Sequence, residues 1–307
     1  MNKQRIINIC NRWKGQWKYF SPTIAIEDFL ASTIFRYNIN ARHYLNKSSY
    51  SKAEKILSRK YSYVIDKWKT INVKQTYDIG DASDVYLFWW QGLEEAPYIV
   101  KKCVESIRKN MPGRRCIVIS KDNWMKYASI PSYIVEKYHR HIITPALFSD
   151  ILRCCLLFEH GGIWIDPTCY MSRSLDETIK DYKFYTIRHG DDWEFPICKG
   201  KWALFFLASG KENPVIGFVR DMFFEYWKKE KCIAEYLLID TFFAIAYDNF
   251  EYAKEMIDMV PSNNQNYIKL LEMLKQNNGK DFYKCMKQID AKTYIHKLTY
   301  KMNIDEF

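Results

Sequence analysis

From Asp78 onward the chain alternates runs that are apolar at every position with runs that are apolar on one helical face. "VYLFWW" at 85–90 and "CIVIS" at 116–120 have the continuous apolar pattern of strands covered on both sides. Between them Pro97 opens "PYIVKKCVESIRKN", in which Ile99, Val100, Cys103, Val104 and Ile107 recur at helical spacing until Met111, Pro112 and Gly113 stop it. The spacing predicts a βαβ unit. A polar and aromatic connector with Trp124, Tyr127 and Pro131 leads to "TPALFSDILRCCLLFEHGG", a helix predicted to start at Pro145 and to end on a left-handed Gly161, and then to a third strand, "IWI". This alternation predicts an α/β fold: a Rossmann-like open sheet flanked by helices.

Residues 1–77 follow a different pattern. "SKAEKILSRKYSYVIDKWK" at 51–69 carries Ala53, Ile56, Leu57, Tyr61, Val64, Ile65 and Trp68 at helical spacing, after Ser51 and Glu54 in the arrangement of a capping box. A single basic amphipathic helix is expected there. Residues 1–75 hold 15 Lys and Arg against 4 Asp and Glu, whereas the remaining residues hold 31 against 32, so the net charge of +10 belongs to the N-terminal segment. Such a helix can pack on the main domain with its lysines solvated, or meet an anionic membrane surface. Nucleic acid is not expected as a partner, because no helix-turn-helix, zinc-finger, RRM or KH signature accompanies the charge. The charge change places a boundary near 75–80, between a basic helical segment (1–77) and a main domain (78–307).

At 48% hydrophobic and 17% aromatic residues, a chain of 307 residues can bury a large core. Its longest apolar stretch, "YLLIDTFFAIAY" at 236–247, is too short to span a bilayer and contains Asp240, and no early run resembles a signal peptide. Nine cysteines without a C-x-x-C pair, two of them (Cys154 and Cys155) inside a helical pattern, read as reduced thiols rather than a disulfide framework or zinc ribbon. A soluble, cytoplasmic protein is expected.

Candidate chemistry gathers around "GGIWIDPT" at 161–168. In an open α/β sheet, ligands bind beyond the carboxyl ends of the strands, and Asp166 stands at such an end. Asp150 and Arg153 lie one turn apart on the preceding apolar helix; they either form a buried pair that fixes helix to sheet or face one ligand, Arg153 neutralising a phosphate and Asp150 holding a sugar or base hydroxyl. Asp191, Asp192 and Glu194 in "RHGDDWEFP" read either as a solvated acidic loop or as contacts to sugar hydroxyls.

The segment "FSDILRCCLLFEHGGIWIDPT" resembles the S-D-x-x-R-x-x-x-L-x-x-x-G-G-x-x-x-D segment of glycosyltransferases with a GT-A fold. With "WWQG" and "AP" upstream it is similar to the bacterial capsular polysaccharide synthesis protein family, relatives of the initiating mannosyltransferases. The likeness runs from about Val85 to Met171, with weaker echoes in "KWALFFLASGKENPVI" and "YIHKLTYK". It implies a GT-A-like glycosyltransferase, a hexosyltransferase that moves a sugar from a nucleotide-sugar donor, a UDP-sugar by expectation. The acceptor would be a growing oligosaccharide on a lipid pyrophosphate at the inner face of the cell membrane, and configuration would be retained. Residues 78–171 would then bind the donor, while 172–307 would supply the acceptor side and a C-terminal segment that contacts metal and diphosphate.

By the same resemblance, Trp89 or Trp90 would stack on the base and Gln91 would make polar contacts to it. Asp150 and Arg153 would grip the nucleotide sugar, with Arg153 also stabilising the leaving group; Asp240, the one charge in its apolar stretch, reads either as an acid that faces the donor sugar or the acceptor or as a helix-capping or salt-bridged acid. Asp166 would contact ribose and a divalent metal, Mn2+ or Mg2+, as the first acid of a D-x-D. The second acid is here Thr168, a poorer ligand, and His296 would complete the metal site with Lys297 beside the diphosphate. The Thr168 departure leaves one alternative, a GT-A-like protein that binds glycan or nucleotide without turnover, and the N-terminal charge leaves another, a basic RNA-binding or scaffold protein acting through the first 75 residues.

Overall fold

The computed structural model of the protein describes residues 3–73, 78–80, 83–175, 177–188 and 197–304; Asp191, Asp192 and Glu194 lie outside them. Four helices come first: α1 (Lys3–Tyr19), α2 (Pro22–Ser32), α3 (Ile39–Lys60) and α4 (Ser62–Lys69). The βαβ unit follows as β1 (Val85–Phe88), α5 (Tyr98–Asn110) and β2 (Cys116–Ile119), and after α6 (Ser132–His139) come α7 (Pro145–His160) and β3 (Gly162–Ile165). The rest of the chain supplies β4 (Cys169–Met171), β5 (Phe184–Thr186), β6 (Phe206–Ser209), α8 (Pro214–Lys229), α9 (Leu238–Asn249), α10 (Glu251–Asp258), α11 (Lys269–Gln276), α12 (Phe282–Met286) and β7 (Ile295–Lys297).

The central sheet has the order β2-β1-β3-β6-β5. Strands β1, β2 and β3 are parallel; β6 runs against both β3 and β5, so four of the five strands share one direction. The central strands β1, β3 and β6 are buried at every position, whereas edge strand β2 alternates half-buried and buried. This mixed α/β architecture is the one the sequence resemblance implies. Helix α7 packs on β3, β6 and α8, and the apolar face of α5 turns Ile99, Val100 and Cys103 toward Leu270, Leu271 and Leu274 of α11 and Phe282 of α12.

The turn from α7 into β3 explains the paired glycines. Thr144 accepts a hydrogen bond from the Leu147 amide at 3.3 Å and Pro145 occupies the first turn, so the helix starts where its sequence directs. Gly161 ends it with φ +70°, and at Gly162, φ +108°, a Cβ would stand 2.5 Å from the Asp84 carbonyl oxygen. The Ile163 amide donates to that carbonyl at 2.9 Å, so only a residue without a side chain lets β3 enter the sheet there.

The N-terminal segment departs from expectation. The predicted helix over 51–69 is two helices that meet at Tyr61, which is fully buried. Helix α3 begins twelve residues upstream of Ser51, at Ile39, because Asn38 accepts from the Ala41 amide at 3.0 Å; Ser51 and Glu54 therefore lie mid-helix and form no capping box. Helices α3 and α4 pack on α8 and α9. A Cβ on Gly217 of α8 would come within 2.3 Å of the Trp68 ring, so that glycine sets how closely α4 approaches. Among the described residues, no helix is long and apolar enough to cross a membrane.

Candidate active site

Asp166 follows the last residue of β3, and the parallel register that pairs Tyr86 with Trp164 puts it level with Phe88, one residue before Trp89. Its amide donates to the Phe205 carbonyl at 2.8 Å, which anchors it to the start of β6. Side chains two apart on a strand share a face, and the Trp164 indole N–H accordingly donates to Asp166 Oδ1 at 3.0 Å. Arg153 reaches the same oxygen from α7 at 3.4 Å while its other terminal nitrogen lies 3.2 Å from Asp150 Oδ1. The Arg153 guanidinium also lies 4.8 Å from the Trp164 ring centre, and its Nε is buried without a hydrogen-bond partner among the described residues. Arg153 thus joins both carboxylates, and its side chain is only 6% exposed.

The second cation comes from the far end of the chain. Strands β4 and β7 form a two-stranded antiparallel ribbon in which Cys169 pairs with Lys297 and Tyr170 with His296. The Lys297 amide donates to the Tyr267 carbonyl and the Leu298 amide to the Thr168 carbonyl, each at 2.8 Å. Held on this frame, the Lys297 ammonium donates to Asp166 Oδ2 at 2.6 Å and to Thr168 Oγ1 at 2.9 Å. Burial would push the Asp166 carboxyl up, but the charges of Lys297 and Arg153 outweigh it and hold that carboxyl below its ordinary value. Burial likewise opposes the charge on Lys297, and Asp166 overrides it and raises the lysine.

Two further carboxyls face this group. Burial pushes Asp150 up to about 7, Arg153 opposing it only in part, and pushes Asp240 up to about 6 against its bond from the Trp202 indole N–H at 2.9 Å. The neighbourhood therefore combines two fixed cations, one firm carboxylate and two carboxyls that readily take up protons. That balance suits a polyanionic ligand.

The structure brings together Asp150, Arg153, Asp166, Thr168 and Lys297, with Asp240 within electrostatic reach of Arg153. Gln91 is exposed at the end of β1, and Trp89 is half-buried with its ring edge-on to Tyr300 at 5.5 Å and its buried Nε1 without a partner among the described residues. Trp90 is half-buried and packs edge-on against Tyr138 and Phe148 at 4.8 and 5.8 Å, against the outside of the core. His296 is fully buried, its Nε2 lies 3.1 Å from the Ser172 hydroxyl, and burial pushes its imidazole down to about 4. As the neighbour of Lys297 on β7 it faces the other side of the ribbon from Asp166.

A hard divalent cation needs several oxygen ligands. Here Asp166 and Thr168 already share an ammonium, and among the described residues no three His, Cys, Asp or Glu side chains converge into a metal-binding group. A metal held by these residues would have to displace Lys297, so the donor set fits one poorly. The residues that sequence reasoning did not single out are Trp164, Trp202 and Phe205. Trp164 carried a signal, its spacing of two from Asp166, whereas the contacts of Trp202 and Phe205 arise only in the folded chain.

No curated protein matches the chain. Among solved structures it is similar to the PaToxG glycosyltransferase, at 17% identity and a TM-score of 0.38, over 84% of this chain and 99% of that one, a likeness too distant to define the fold. The profile of the capsular polysaccharide synthesis protein family matches residues 34–307, from just before α3 through the whole sheet and both ends of the Asp166–Lys297 contact. The chain belongs to the capsular polysaccharide synthesis protein family.

Proposed function

We propose that the protein is a glycosyltransferase that moves a sugar from a UDP-sugar to a growing, lipid-linked capsular oligosaccharide, with retention of configuration. Family membership supports the transferase role, and the observation that carries the reading is the pair of fixed cations, Arg153 and Lys297, converging on Asp166 beyond the carboxyl ends of β1 and β3. The donor's ribose would meet Asp166 and its diphosphate the cationic side. The bond from the anomeric carbon to the diphosphate oxygen breaks and its electron pair stays with that oxygen. The acceptor hydroxyl oxygen bonds to the same carbon and its proton passes to the departing diphosphate. Positive charge placed where the leaving group becomes more negative lowers the barrier without a strong general base. Asp240, beside Arg153, would orient the sugar or the acceptor.

The acceptor's lipid gives the N-terminal segment a place in this reading. Trp17, Ile26 and Phe29 are exposed beside the exposed Lys14 and Lys18, a combination suited to an anionic bilayer at the inner face of the cytoplasmic membrane. Vesicle sedimentation tests this, and equal binding to neutral and anionic vesicles would refute it.

Calorimetric titration of UDP and of GDP tests the donor site. UDP binding weakened about tenfold or more by Asp166→Ala is expected. Binding of neither nucleotide to the unaltered protein would remove the reading. Nucleotide binding with no sugar transfer across a donor screen would favour a binding protein on the same scaffold.

A further inference from the structure

Members of the GT-A group are expected to place a divalent cation between their acids and the donor diphosphate, and this chain places an amino group there. The Lys297 ammonium bridges Asp166 Oδ2 and Thr168 Oγ1, the two side chains that stand at the first and last positions of the D-x-D-like triplet. The placement is built rather than incidental. Backbone hydrogen bonds pin the lysine on both sides, from its own amide to Tyr267 and from the Leu298 amide to Thr168, and β7 is registered against β4 immediately after the triplet. A strand-borne side chain fixed in this way is positioned far more firmly than one on a loop.

Three features distinguish this from an ordinary ion pair. First, an ammonium has three donors, and two are used by Asp166 and Thr168; the third has no hydrogen-bond partner among the described residues, and the Phe205 ring lies 5.4 Å from the nitrogen. Second, the lysine side chain is 23% exposed and that of Asp166 26%, so the charge is embedded in the fold yet open on one side. Third, the residue that would have to join a metal site, His296, is turned to Ser172 on the opposite face of the ribbon. Thr168 fits the same arrangement. A second carboxylate there would bind the lysine more tightly and cancel its charge, whereas a hydroxyl accepts its hydrogen bond and leaves the pair less neutralised.

We propose that the Lys297 ammonium, held between Asp166 and Thr168, is the built-in counter-cation for the donor diphosphate and makes donor binding and transfer independent of divalent metal. This rests on the nucleotide-sugar reading of the site. In the transfer step the third N–H of Lys297 donates to the diphosphate oxygen that receives the electron pair of the broken glycosidic bond. Arg153 supports the lysine by holding the other oxygen of Asp166. No redox change and no further reactant is involved.

The test is calorimetric titration of UDP and of GDP into the full chain, in chelator and in Mn2+, with Lys297→Met alongside. For the unaltered protein, dissociation constants for the nucleotide that binds are expected to agree within about twofold between the two conditions. In chelator Lys297→Met is expected to weaken binding by about tenfold or more, and Lys297→Arg to retain most of it. The first comparison needs no variant, so a folding defect cannot obscure it. Binding to the unaltered protein that is about tenfold or more tighter in Mn2+ than in chelator would overturn the proposal while leaving the nucleotide site standing. Unchanged binding in a folded Lys297→Met would also overturn it. If neither nucleotide binds in either condition, the donor-site reading fails and the proposal with it.

Discussion

Lysines meet carboxylates in two parts of this molecule, and the two meetings differ in kind. At the seam where the end of α3 and α4 meet α8, Lys67 of α4 lies 2.8 Å from Asp221 and Lys60 of α3 lies 2.6 Å from Glu230 just past α8, but the two lysine side chains are 66% and 39% exposed. At the carboxyl end of the central strand β3, Lys297 and Arg153 share Asp166 inside a frame of backbone hydrogen bonds. Solvent screens the seam lysines, whose stems lie along apolar surface while their charges stay in water. The site cations are far less exposed, 6% for Arg153 and 23% for Lys297, and keep their charge because they share the Asp166 carboxylate. The basic surplus of residues 1–75 therefore says little about α4 itself, where packing of Tyr61, Val64, Ile65 and Trp68 holds the helix.

Breaking the site end of this contrast gives the largest effect. Arg153→Met leaves Asp150 and Asp166 without their shared partner and is expected to cost about 3 kcal/mol, read as a lowered denaturation midpoint with unchanged slope. At the seam, Gly217→Val forces a side chain into the space of the Trp68 and Phe158 rings and is expected to cost about 2 kcal/mol, or about 4 °C in melting temperature.

A smaller effect sharpens the site through pH. Asp150, pushed up to about 7, sheds a proton as pH rises from 6 to 8, adding negative charge beside Arg153. UDP affinity is expected to fall about threefold over that range and to be flat in Asp150→Asn, checked by titration at each pH. Stability carries the same sign. The folded chain keeps this proton up to about pH 7 while the unfolded chain releases it near the ordinary value of 3.8, so the contribution of Asp150 to stability declines as pH rises through that window. The smallest effect lies back at the seam: Lys67→Ala is expected to change stability by less than about 0.5 kcal/mol in a denaturant titration, a bound that would break the contrast if exceeded.

Local chemistry made much of the fold legible in the sequence. Pro145 marked the start of α7 and Gly161 its end, whereas the Thr144 cap, the close approach at Gly162 and the Trp164–Asp166 hydrogen bond came from the folded chain. The capping box at Ser51 misled for a physical reason: Asn38 starts α3 farther upstream, and a helix already formed runs through a Ser and a Glu that could have capped a later one. Tyr61 breaks the apparent single helix because its buried ring and its hydroxyl, which donates to Glu230 at 2.7 Å, are fixed by α8 rather than by neighbours in sequence. At the site, Asp150, Arg153 and Asp166 were legible because they lie within one helix-turn-strand segment. The bridge from Lys297 to Thr168 was not, since 129 residues separate the two and only the β4–β7 register joins them.

That register has a consequence for how the protein is made. The central sheet and Asp166 are complete in a nascent chain well before residue 297 has been added, yet β4 has no partner until β7 arrives. A chain cut short by proteolysis or premature termination ahead of Ile295 keeps its triplet but lacks the ammonium. On the proposal above, β7 thus decides whether a folded sheet also carries its counter-cation.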